Sequence, residues 1–126
     1  MRYAEAFAKL GYKLPNPRQH WSCSAEHGVC LSLWRSEIDW KRLKFDTLED
    51  AGPTETWAAA GANQRIRDLE LATTKFDGWI DVVVVDGVPG EGVDSASPWH
   101  PEERGGKRWK VTKADLSTGH FLAELI

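Results

Sequence analysis

The densest chemical signal in the chain is a run of cations behind a glycine- and proline-rich stretch. Arg104, Lys107, Arg108, Lys110 and Lys113 fall within ten residues, and Trp99 and His100 stand just ahead of them. Guanidinium and ammonium groups hold phosphates, while an indole or imidazole face stacks on an unpaired base. Arg18, His20 and Trp21 form a smaller group of the same character near the N-terminus. If the two groups shared a face, they would clamp a nucleic acid. A plainer reading of the first is an edge strand that its lysines and arginines protect from aggregation. Trp21 and Trp109 suit a core equally well.

Two other constellations bear on catalysis. His20, Cys23, His27 and Cys30 put four nitrogen and sulfur ligands into eleven residues. Zinc takes such ligands in a tetrahedron, but H-x2-C-x3-H-x2-C is not the spacing of a zinc finger or ribbon. The two cysteines fall on facing strands with His27 at the turn tip, which reads as a pair of small semi-buried thiols. Asp77, Asp81 and Asp86 surround an apolar run, and Glu91 follows. Carboxylates there can hold a metal for phosphodiester cleavage. A carboxylate–lysine nuclease centre also needs E-x-K or D-x-K on an adjoining strand, where this chain has WKVTK. Asp77 and Asp86 precede glycines, as turn residues do. No G-x-S-x-G, phosphate-binding loop, dinucleotide fingerprint or H-E-x-x-H occurs. No catalytic residue, metal ligand or cofactor is therefore assigned. A small metal-dependent hydrolase using His27 or His100 with the aspartates is the third reading.

The elements that must position these residues are organised around 63–85, NQRIRDLELATTKFDGWIDVVVV. Ile66, Leu69, Ala72 and Phe76 repeat at helical spacing. Asn63 suits an N-cap, and Asp77-Gly78 a stop with Gly78 in the left-handed conformation. The valine run that follows predicts a strand covered on both faces. Tyr3, Phe7 and Leu10 predict a short helix over 2–10, ended by Gly11. Alternation in 21–25 and 29–34 predicts a hairpin, with Gly28 in a turn that calls for positive φ. A third extended piece within 38–47 is expected to pair with that hairpin, and 54–61 to hold two helical turns stopped by Gly61. The segment 86–107 reads as a long loop, 108–113 as a strand with a wet basic face, and 121–126 as a final strand or short helix. The fold expected is α+β: a single mixed, largely antiparallel sheet with one main helix packed on one face and a short N-terminal helix, all in one domain over 1–126.

Composition limits the partners. With 16 basic and 19 acidic residues the net charge is −3, so a polyanion must be held by a local patch and not by overall attraction. No apolar run approaches the roughly 20 residues that cross a bilayer, and the opening MRYAEAFAKLGYK lacks the apolar core of a signal peptide. A cytoplasmic protein with free thiols is expected. Seven tryptophans fit a tryptophan-rich core, with one or two left to line a pocket. The chain reads either as a complete small protein or as a domain of a longer one.

The run FAKLGYKLPNPRQHWSCSAEHGVCLSLWRSEIDW, with its GY.L.NPR..WS opening and V.L.LW strand, and the later helix RIRDLEL, resembles a pattern in small bacterial and phage-borne domains. Those domains stand alone or beside restriction-type nuclease modules. The resemblance implies a DNA-defence setting and no residue-level role, and 94–106 has no counterpart in the pattern. Together these readings favour a non-catalytic DNA-reading domain that holds a modified or flipped base in an aromatic pocket with a basic rim. Trp99, His100, Arg104, Arg108 and Lys110 are its first candidates, and Arg18, His20 and Trp21 its second. The alternative is a protein-binding module, such as a phage- or plasmid-encoded inhibitor of a host defence enzyme, with Trp99 as an exposed interface anchor.

Overall fold

The structure is a computed structural model that describes residues 1–14, 21–48, 59–88 and 92–126, with 59–62 by their backbone alone. Arg18, His20 and the helical turns expected over 54–58 lie outside the described residues. Helix α1 spans Tyr3–Lys9 and stops at Gly11, whose φ is +86°. Strands β1 (Ser22–Ala25) and β2 (Gly28–Trp34) form the expected antiparallel hairpin, with Cys23 opposite Cys30. Gly28 is not among the residues with positive φ. It is needed for a different reason: a Cβ there would lie 2.6 Å from the Tyr12 hydroxyl oxygen.

Strands β3 (Ile38–Asp39) and β4 (Lys44–Asp46) pair with each other, and not with the first hairpin. Both edges of β2 are already occupied, by β1 and by β5 (Trp79–Val88). The β3–β4 turn is closed locally, with the Asp39 carboxylate accepting from the Lys41 and Arg42 amides at 3.1 and 3.0 Å. Helix α2 runs over Ala59–Lys75, four residues earlier than its apolar spacing suggests. Asn63 is thus inside the helix and not its cap, and the helix continues through Gly61. Its end is as expected in place and richer in form. Asp77 and Gly78 both take positive φ, 56° and 87°, and the Gly78 amide reaches back to the Ala72 carbonyl at 2.8 Å. That bond spans seven residues, one more than the 6→1 bond of a Schellman closure, and likewise turns the chain back onto a carbonyl of the helix's last turn.

The stretch expected as a loop contains strand β6 (Gly92–Pro98), antiparallel to the second half of β5 with a bulge at Asp86/Gly87. Its Gly, Asp, Ser and Pro residues have low strand propensity. It is a strand because its backbone completes the ladder of a buried neighbour. Strands β7 (Trp109–Asp115) and β8 (His120–Leu125) follow. The sheet order is β1-β2-β5-β7-β8-β4-β3, with β6 also on β5. Among the described strands only β2 and β5 run parallel. This is the expected α+β fold with one mixed sheet.

Side-chain alternation in β2 and β5 sends residues into two cores. Leu31, Leu33, Val82 and Val84 join Trp109, Phe121 and the α2 residues Leu69 and Ala72. On the other face Cys30, Val83 and Val85 are covered by Ala6 and Phe7 of α1 and by Tyr12 and Leu14. Covering both faces is what the unbroken valine run demands. Among the described residues no helix is long and apolar enough to cross a membrane.

Candidate functional site

The parallel ladder between β2 and β5 begins at Cys30 and Asp81. The residues just before it, Gly28 and Val29 on one strand and Trp79 and Ile80 on the other, are not laddered to each other. A cleft of about 210 Å³ opens there, with His27, Asp81 and Arg108 also on its wall. Sites for drug-sized ligands run from roughly 300 Å³ upward, so this cleft suits one planar base and not a whole nucleotide.

Trp79 is half-buried and faces Lys110 across the β5–β7 ladder. The Arg108 guanidinium carbon lies 5.0 Å and the Lys110 Nζ 5.2 Å from its ring centroid. Both fall within the range at which an indole attracts a cation. Lys110 also lies 3.9 Å from the Asp77 carboxylate, but Asp77 is 89% exposed, so the pair adds little. The Arg108 backbone is fixed by reciprocal bonds with Ile126 at 2.9 and 2.8 Å, while its side chain stays exposed.

The opposite wall is built on Tyr12. Its hydroxyl donates to Asp81 Oδ2 at 2.5 Å and its ring lies 4.5 Å from that of His27. Burial, and then the bond to the Asp81 carboxylate, push the Tyr12 phenol far above its ordinary range. It therefore remains a donor. His27 Nε2 is 3.1 Å from the Leu10 carbonyl. A carbonyl only accepts, so that nitrogen carries the hydrogen.

Of the residues expected at the site, Arg108 and Lys110 come together, on Trp79. Trp99 and Arg104 meet elsewhere. Trp99 is not the exposed loop residue expected: it is 5% accessible and belongs to the α2-side core. Its amide bonds to the Val82 carbonyl at 2.9 Å and its indole N–H donates to the Lys107 carbonyl at 3.0 Å. The Arg104 guanidinium covers it at 4.6 Å, and Trp40 stacks on it at 6.3 Å. Trp99 also packs edge-on to Trp109, which lies opposite Ile80. The Trp99 and Trp79 groups therefore lie on opposite faces of the β5–β7 ladder, which divides the cationic run in two. His100 is half-buried, with Nδ1 3.8 Å from Glu102. Trp21 is half-buried at the head of β1, where its carbonyl accepts from the Ser32 amide and hydroxyl, both at 2.9 Å.

Sequence reasoning missed Trp79, Tyr12 and Asp81 as partners in one site. A signal for one was present: Asp81 is a charge set between the apolar residues Ile80 and Val82. The possible metal sets are scattered. Cys23 and Cys30 are buried thiols, both pushed upward in pKa by burial. Asp86 is paired with Arg35 at 2.7 Å, while Asp81 holds Tyr12. Among the described residues no group of three His, Cys, Asp or Glu gathers closely enough to hold a metal ion. The chain matches no protein-family model, no curated protein and no solved structure.

Proposed function

We propose that this domain is a non-catalytic reader of DNA that takes an unpaired or flipped base into the cleft beside Trp79. One observation carries the reading: an indole flanked by Arg108 and Lys110 at the mouth of a cleft sized for a single base. Stacking on an indole is available to every base, and two cations beside it serve the phosphates on either side. The likeness of the N-terminal run to domains found beside restriction-type nuclease modules supports a defence setting, in which the base read is modified or extruded from a duplex. Protein binding is the second reading. Its support moves from Trp99 to Trp40, which is 40% exposed.

The test is tryptophan fluorescence titrated with short single strands, plain duplexes and duplexes carrying a modified or mismatched base. Saturable quenching that is lost in Trp79→Phe and weakened in Arg108→Ala/Lys110→Ala is expected. Binding untouched by these changes removes the site. A stoichiometric protein complex free of nucleic acid favours the second reading.

A further inference from the structure

We infer that the cleft selects guanine, with the Asp81 carboxylate accepting from the base N1–H and 2-amino group together. The inference rests on the reading of the cleft as a base site and adds to it the identity of the base. Asp81 is the carboxylate in the cleft wall, and an ionised carboxylate has only acceptors, about four lone-pair sites on two oxygens. Tyr12 takes one of them at 2.5 Å. That bond fixes the plane of the carboxylate before any ligand arrives, so little ordering is left for binding to supply. Tyr12 is itself held, by the ring of His27 and by the bare Cα of Gly28.

The four bases differ in what they offer such a group. Guanine has two adjacent donors on its pairing edge, N1–H and the 2-amino group. Adenine and cytosine each place a ring-nitrogen acceptor beside their one amino group, and that lone pair would face the carboxylate. Thymine has a single N–H between two carbonyl oxygens. Only guanine meets an acceptor-only group with donors alone. Arg108, a donor-only group on the same cleft, completes the match, since the remaining edge of guanine and the phosphates are acceptors.

Affinities of short oligothymidylates with one central guanine, hypoxanthine, adenine, cytosine or thymine test this. Hypoxanthine is guanine without its 2-amino group and isolates one of the two bonds. The guanine strand should bind tightest, roughly tenfold better than the hypoxanthine strand, as expected for one hydrogen bond to a charged group. In Asp81→Asn that gap should close, while the Tyr12 bond can be kept through the amide oxygen. Equal affinity of the wild-type protein for guanine and hypoxanthine overturns the assignment without any variant. If all the strands bind alike and Arg108→Ala/Lys110→Ala still weakens them, guanine selection alone is wrong. If none binds, the base-site reading falls with it.

Discussion

Tyr12 joins three parts of the chain through one side chain: the segment after α1, the β1–β2 turn at His27 and the start of β5 at Asp81. Its hydroxyl fills the space that a side chain at residue 28 would need. Gly28→Ala should therefore destabilise the fold by about 1–3 kcal/mol through overpacking. In a Tyr12→Phe background most of that penalty should vanish, because the next ring atom is at an ordinary 3.9 Å. A double-mutant cycle from urea denaturation measures this non-additivity, and additive penalties would count against the contact. His120 supports a second residue-level prediction. It is buried at the start of β8, and burial, then the Arg65 guanidinium, hold its pKa below the ordinary 6.5, against the weaker pull of Asp115. Between that lowered value and 6.5 the unfolded chain binds more protons than the folded one. The His120 contribution to stability is thus fully present above pH 6.5 and is lost as pH falls through the folded-state pKa. His120→Gln should flatten that part of the stability–pH curve, read from denaturant midpoints across the window.

At the scale of elements, the join between α2 and β5 leaves no room for a side chain. Gly78 has φ +87°, and a Cβ on it would meet the Val111 carbonyl oxygen at 2.5 Å. That oxygen belongs to the backbone of β7, and the Val111 amide in turn bonds to the Gly78 carbonyl at 2.7 Å, so neither partner can give way. Gly78→Ala should cost about 2 kcal/mol or more. Gly106→Ala, at positive φ but with nothing within 4 Å, should cost only about 1 kcal/mol. Thermal melts of the two variants side by side give the comparison. The same elements show what the sequence made legible. Periodicity located α1, the body and end of α2, the first hairpin and the buried strand, because each carries its own apolar pattern. It missed β6, whose only buried residue is Ala96, and it set β3–β4 on the first hairpin, whereas β4 pairs with β8, because a strand's own apolar pattern does not name its partner. The candidate site was half legible for a related reason. Arg108 and Lys110 stand together in the chain, but their aromatic partner is Trp79, brought beside them by strand register and not by the sequence proximity that suggested Trp99.

For the whole molecule, charge sets how any DNA contact must behave. A chain of net charge −3 provides no general field to draw in a polyanion, so binding must rest on the rim itself. Two cations, Arg108 and Lys110, flank Trp79. If each neutralises one phosphate of a single strand, counterion release gives a slope of log affinity against log salt of about −1.4. That is shallow compared with proteins that engage many phosphates, and it follows from the division of the cationic run between two faces. Removing both side chains should bring the slope close to zero. Removing Arg104, which is stacked on Trp99 on the other face, should leave it unchanged. Affinities from fluorescence titrations at several salt concentrations provide the slopes for the three proteins. A wild-type slope several times steeper would require a basic surface larger than this rim, and a slope that fell with Arg104→Ala would move the phosphate contacts to the Trp99 side. With the expected pattern, stacking on Trp79 and hydrogen bonding to the base would provide most of the affinity, through one aromatic ring, one carboxylate and two cations around one opening in the sheet.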